Sequence, residues 1–430
     1  MEQNRKSAPW GQSVKEEAWL IAAAVIIVVG AHAIFMLLSG KYLLAENPYN
    51  SYLRQACAWL QGRLSLPENC PWLELAVLRP QPYQLEFYVS FPPFPSYLLL
   101  PFAALFGENA PDSLLAFLSM IMGLAYGVRL AGHFRLSRFS RVMLPVFLYG
   151  SNNLWQITVD AWVWFLAQNL AFTFTMASFW YACRGKKGRA AFCLAAAVGC
   201  RPFQIVYIPV ACLLLAESRK SQGDGLKWIL WSKDYRYIPA ALLCVSFMAL
   251  NLLRFGSPWE FGHSYLPEFT RSAHGQFSLY YLKENLPTLL RLPEISSSTG
   301  QLEFPMYNGG NIFLADPILA VWLAVILIAA LKARSQGRWQ WPAAVLTVTV
   351  LCHIFALCCH KTMGGHHFGN RYIIDTLPAV YLGLCWLARE TGGLNCLKER
   401  EKRFAWLALG AAMVWGLLLN FWGTLTMYST

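Results

Sequence analysis

Three carboxylates and a few clustered basic residues are the parts of this chain that could do chemistry. Glu46, Glu74 and Glu86 fall in one stretch, roughly 40–110, that directly follows an apolar segment. Glu46 comes first, in E-N-P-Y-N-S-Y-L-R-Q-A-C-A-W-L. A carboxylate at a membrane boundary is partly desolvated, which raises its pKa toward the range of a general base. Glu74 and Glu86 precede a Pro92-Pro93-Phe94-Pro95 turn and could serve as a second acid, a sugar contact or a cation ligand. The plainer alternative is that Glu46 is a solvated loop residue or pairs with Lys41, and that at least one of Glu74 and Glu86 is a solvated loop carboxylate. No D-x-D or D-x-E motif occurs, so a divalent cation has room here but no recognisable ligand set.

The basic candidates lie far apart in sequence. His366-His367-Phe368-Gly369-Asn370-Arg371-Tyr372 stands at the entrance of a late apolar segment. An arginine there can grip a phosphate with two parallel hydrogen bonds, and the histidines would enlarge the positive patch. Asp375, at i+4 from Arg371, could orient it, and the pair could equally be a packing device. Arg201 sits at a Gly-Cys-Arg-Pro break between two short apolar halves, a costly place unless it meets protein, water or an anion. Arg54 lies on the polar side of the expected 52–60 helix, opposite Tyr52, Ala56 and Trp59. Arg54, Arg201, His366, His367, Arg371 and Tyr372 are therefore the candidate substrate contacts. Reading His353, Cys358, Cys359, His360, His366 and His367 as a metal site matches no standard ligand spacing.

The elements that must hold these residues are apolar helices. Of 430 residues, 56% are hydrophobic and 13% charged, half the charge of a soluble chain. Apolar runs long enough to cross a bilayer recur from end to end. The expected spans are 17–40, 112–132, 141–158, 161–183, 189–200, 202–217, 236–254, 311–332, 341–360, 369–388 and 404–427. This is an all-α polytopic membrane protein, read as one domain over 1–430 with about 11 crossings. The first run has no cleavage site after it and is kept as an anchor.

The net charge of +12 comes from short loops: Arg5, Lys6 and Lys15; Arg135, Arg138 and Arg141; Arg184, Lys186, Lys187 and Arg189; Arg219, Lys220, Lys227 and Lys233; Lys332, Arg334 and Arg338; and five residues between Arg389 and Arg403. That alternation is the positive-inside pattern, not a nucleic-acid surface. It places the N-terminus in the cytoplasm and two long loops, 41–111 and 255–310, outside. It also requires that 91–107, with Pro101 inside it, lie in the interface instead of crossing. The 12 cysteines form no C-x-x-C pair, and Cys57 and Cys70 could bridge in an oxidising compartment.

The order of these parts resembles the bacterial GT-C glycosyltransferases, in the group near the protein mannosyltransferases and aminoarabinose transferases. The resemblance is carried by Y-L-x-Q-A-x-A-W-x-x-G-R after the first span, F-P-P-x-P before the interfacial helix, and the G-C-R-P-F break. It continues in N-x-x-R-F-G-S-P-W-E-F-G-H-S-Y at 251–265 and F-G-N-R-Y-I-I-D-T-L-P at 368–378. It implies a GT-C-like bundle in the plasma (inner) membrane, acting on its outer face. It also implies a polyprenyl-phosphate-linked sugar as donor, a cell-envelope acceptor, membrane lipid as a partner and no nucleic acid. In that family an Asp of the first outer loop deprotonates the acceptor, and basic residues hold the lipid phosphate. This chain has no Asp in 40–90, so Glu46 is the positional counterpart, with Glu74 or Glu86 as a second carboxylate. A lipid translocase, or a silent envelope protein, is the other class the sequence allows.

Overall fold

The computed structural model describes residues 10–81, 84–219, 229, 234–298, 300, 302–336, 341–391 and 397–429. Arg5, Lys6, Lys220, Lys227, Lys233 and Arg338 of the charge pattern lie outside the described residues. The chain is a multi-pass helical membrane protein. α1 (Trp10–Ser39) has 30 residues, which at ~1.5 Å per residue outspans a hydrocarbon core of ~30 Å. Val14–Ser39, Asp112–His133, Tyr235–Phe255, Trp341–Cys358 and Glu399–Tyr428 are each long and apolar enough to cross.

The remaining helices are α2 (Ser51–Leu60), α3 (Phe94–Phe106), α4 (Asp112–His133), α5 (Arg138–Gly150), α6 (Val163–Cys183), α7 (Lys187–Val198) and α8 (Ile208–Ser218). They are followed by α9 (Ile238–Phe255), α10 (Pro317–Gln336), α11 (Trp341–Cys358), α12 (Leu377–Thr391) and α13 (Glu399–Ser429). The main core joins α1, α4, α5, α6 and α12 through residues such as Phe35, Leu124, Tyr149, Phe172 and Tyr381, all buried. Tyr149, at the centre of this core, packs edge-on against Phe172 at 5.6 Å.

Several expected spans prove to be broken, and the breaks share one form. α5 stops at Gly150, and a 3-10 segment, Asn153–Thr158, precedes α6. α7 stops at Val198, and Pro202–Tyr207 precedes α8. Arg371–Thr376 precedes α12 in the same way. The stretch 311–332 also divides, at Asp316, between a short turn Ile312–Ala315 and α10. At each 3-10 start the preceding residue is extended: Asn152, Arg201 and Asn370 have φ near −140°. For Arg201 the cause is Pro202, whose ring disfavours helical geometry in the residue before it. The breaks free backbone groups and place polar side chains inside the bundle.

The stretch 41–111 is not purely helical, which corrects the all-α expectation locally. β1 (Leu75–Gln81) and β2 (Gln84–Val89) form an antiparallel pair with Leu75 opposite Val89 and Val77 opposite Phe87. The β-branched and aromatic residues of L-E-F-Y-V suit a strand with one covered face. A second small pair, β3 (Glu294–Ile295) and β4 (Leu302–Glu303), lies in the later loop. α3 has 13 residues, ~20 Å long, too short to cross. Its first turn enters the bundle, where Phe94 donates its backbone N–H to Gly199 O at 3.0 Å. α2 is covered by protein over most of its length, with Tyr52, Leu53, Ala56 and Ala58 buried.

Candidate active site

The loop of residues 41–111 meets the breaks before α8 and α12 at one place. Glu74, just before β1, accepts a hydrogen bond from the Trp164 indole at 2.9 Å. Its main chain is tied down as Ser90 Oγ donates to Glu74 O at 2.6 Å. The Arg371 guanidinium lies over the same indole, 5.9 Å from the ring centre. Glu74 is half-buried. Enclosure in protein raises its pKa above the usual carboxylate range, the Trp164 hydrogen bond opposes this, Glu268 adds to it, and Arg371 attracts the charged form. Desolvation is the largest of these effects, as expected for a carboxyl leaving water.

Arg371 is 4% exposed. Its Nε and Nη2 both donate to Gly364 O, at 3.2 and 3.0 Å, and its Nη1 has no partner. The Gly364 backbone has φ of +109°, and a Cβ there would lie 3.1 Å from Arg371 Nε. A glycine is therefore required both by conformation and by the approach of the guanidinium. Tyr372 lies between two cations, its ring 4.8 Å from the Arg371 guanidinium and 5.1 Å from that of Arg201.

Arg201, not Arg371, is the partner of Asp375. Its Nε and Nη2 each lie 2.8 Å from Asp375 Oδ2. Asp375 Oδ1 accepts from Gln168 at 3.1 Å and Gln204 at 3.2 Å. Gln168 also donates to the Arg371 main-chain carbonyl at 2.7 Å. The i,i+4 expectation for Arg371 and Asp375 fails because 371–376 winds as a 3-10 helix, whose residues four apart do not align.

Aromatic rings and neutral imidazoles pack beside these residues. His263, at the end of the 251–265 exit segment, packs 4.9 Å from Phe269 and 5.7 Å from Phe91. His360 packs 4.9 Å from Phe277 and 6.1 Å from Tyr372. Burial pushes the His263 imidazole down to about 3, with His360, Arg201 and Arg371 adding to the effect. The exit segment is held by Arg254, which donates to Val89 O at 3.3 Å and to Asn251 Oδ1 at 2.9 Å.

The other expected site residues lie elsewhere. Glu46 is exposed, with no ion pair or side-chain hydrogen bond among the described residues. Lys41, its expected partner, pairs with Asp160 at 2.6 Å. Glu86 accepts from the Tyr88 hydroxyl at 2.6 Å. Arg54 pairs with Glu108 at 3.3 Å and donates to Asn50 at 2.9 Å, which ties α2 to the end of α3. His366 is exposed. His367 is fully buried, donates Nδ1–H to Gly364 O at 3.2 Å, and is pushed down to about 3 by burial and by Arg371. It is neutral at physiological pH and adds no positive charge. Among the described residues no cluster of three or more His, Cys, Asp or Glu could hold a metal ion. Cys57 and Cys70 are buried and unpaired.

Trp164, Gln168, Gln204 and His263 are site residues that the sequence reading did not single out. One signal existed: Trp164, Gln168 and Thr175 recur on one face of α6, at i, i+4 and i+11. Thr175 donates to Gln204 at 2.8 Å, so this face is a polar stripe inside an apolar helix.

No family model and no curated protein matches the chain. Among solved structures it is similar to ArnT from Cupriavidus metallidurans in the apo state, at 13% identity and a TM-score of 0.49. That alignment covers 94% of this chain and 75% of the other. It is also similar to ArnT from the same organism bound to undecaprenyl phosphate, at 12% identity and a TM-score of 0.47, over 94% and 76% of the two chains.

Proposed function

We propose that the chain is a GT-C-type membrane glycosyltransferase. It would move a sugar from a polyprenyl-phosphate-linked donor to a hydroxyl of a cell-envelope acceptor. The reaction would take place on the outer face of the plasma (inner) membrane, with the N-terminus in the cytoplasm and about 11 crossings. α2 and α3 would lie along the outer interface. The observation that carries the reading is one half-buried carboxylate, Glu74, and one buried arginine with an unpaired nitrogen, Arg371, both in contact with the Trp164 indole.

In this reading Glu74 is the general base and Arg371 the main phosphate contact. Glu74 takes the proton of the acceptor hydroxyl as its oxygen attacks the anomeric carbon. The bond from that carbon to the donor's phosphate oxygen breaks, and the lipid phosphate leaves with its electron pair. Arg371 Nη1 donates to that phosphate, and Arg201, fixed by Asp375, supports it from the other side of Tyr372. Cations held in place before the reaction stabilise the leaving group without reorganisation, a large share of catalysis in such sites. The aromatic wall around His263 and His360 offers ring faces to a sugar or isoprenoid chain. Glu46, Glu86, Arg54 and His366 would then act at the rim or in the loop's architecture.

The test is reconstitution in vesicles with a radiolabelled polyprenyl-phosphate sugar and envelope extract. Label moving to the acceptor, with free polyprenyl phosphate produced, supports the proposal. Label that crosses between leaflets without transfer identifies a translocase instead.

A further inference from the structure

A second polar centre lies inside the bundle, apart from the carboxylate and arginines described above. It forms where the chain breaks at 151–153, 316 and 369–370 come together. Asp316 is 0% exposed, as are Asn153, Asn370 and Asn420. Asp316 Oδ1 accepts the Asn153 backbone N–H at 2.9 Å, and Asn152 Oδ1 accepts that of Ile318 at 3.1 Å. These two bonds cap the breaks reciprocally and account for two oxygens. Asn420 Nδ2 donates to Ala315 O at 2.8 Å, which brings α13 against the same break. Gly369 completes the approach: a Cβ there would lie 2.9 Å from Asn153 Nδ2 and 2.8 Å from Ala315 Cβ.

What remains is an unsatisfied set of polar atoms, most of them oxygens. Asp316 Oδ2, Asn153 Oδ1, Asn370 Oδ1, Asn420 Oδ1 and Ser151 Oγ are all buried without a hydrogen-bond partner, as are the amide nitrogens Nδ2 of Asn153 and Asn370. No Lys, Arg or His pairs with Asp316 among the described residues. A buried ionised carboxylate without a counter-charge is very costly. Capping explains one of its oxygens and leaves the other unexplained.

We propose that these residues form a binding site for one alkali-metal cation. The atoms it can turn toward a cation are carboxylate, amide and hydroxyl oxygens, the preference of a hard cation. It carries a single negative charge, which one monovalent ion neutralises and a divalent ion would overshoot. The site would hold three chain breaks together, and it fixes Asn370 directly before Arg371. It does not depend on the transferase reading.

The test uses the full-length protein in detergent. Thermal unfolding is followed by intrinsic fluorescence at constant ionic strength, with choline chloride replaced by NaCl or KCl. Either salt is expected to raise the unfolding temperature by about 2–5 °C, saturably. Asp316→Asn should lose this response while unfolding no lower than the wild type does in choline. Should that variant fail to fold, saturable binding of radioactive sodium to the wild type, one ion per chain and displaced by potassium, supports the site. An unfolding temperature indifferent to the cation means a protonated acid or ordered water and overturns it. So does a response to calcium alone, an unchanged response in Asp316→Asn, or no saturable binding.

Discussion

Replacing Arg371 separates the charge of the clamp from its shape. Arg371→Met removes the guanidinium, and Arg371→Lys keeps a positive charge but not the fork. In the structure two nitrogens are committed to Gly364 O, and Nη1 is left for a ligand. One charge-assisted hydrogen bond is worth about 1.5–3 kcal/mol. Arg371→Met should therefore weaken binding of a polyprenyl phosphate about 10- to 150-fold. Arg371→Lys should fall between, because an ammonium at that distance cannot hold Gly364 and reach the phosphate together. Undecaprenyl phosphate, a long-chain polyprenyl phosphate, is a suitable probe. Affinity is read by thermophoresis on detergent-purified protein, with unfolding temperatures as a check on folding. A folded Arg371→Met that binds the lipid as tightly as the wild type would refute the phosphate assignment.

Other outcomes follow from the same geometry. Asp375→Ala strands Arg201, whose two nitrogens lie 2.8 Å from the carboxylate, and should cost about 3–5 kcal/mol of stability, read as a lower unfolding temperature. Gly364→Ala strains a backbone at φ +109° and crowds His367 and Arg371, so donor affinity should fall although no charge is removed. The transfer rate should rise with pH as Glu74 ionises, with a midpoint above the ordinary carboxylate value because burial raises it. Trp164→Phe removes the hydrogen bond that favours the carboxylate, and a pH–rate profile should show that midpoint moving higher.

The apolar, mostly helical character was legible in the sequence, because apolar length acts over many residues at once. The breaks were partly legible. Gly199-Cys200-Arg201-Pro202 and Asp316-Pro317 announce themselves through proline, whereas Asn370 has no such marker. The hairpin of residues 75–89 was missed, since its strands are short and its covered face depends on the exit segment at 251–265. Within the site, Arg371, Arg201 and Glu74 stood out as charges beside membrane helices. Their partners did not. Asp375 is one turn from Arg371 in sequence but bonds Arg201, because a 3-10 turn rotates it away. The choice among three glutamates depends on which is enclosed, a tertiary property that spacing along one loop does not encode.

The central claim is that Glu74, rather than Glu46, takes the acceptor's proton opposite Arg371. Single-turnover transfer from saturating labelled donor, in vesicles, compares Glu74→Gln with Glu46→Gln directly. Glu74→Gln is expected to slow transfer about 10²- to 10⁴-fold with donor affinity nearly unchanged, and Glu46→Gln to leave the rate within about twofold. Wild-type turnover by Glu74→Gln, or a comparable collapse in Glu46→Gln, would contradict the account.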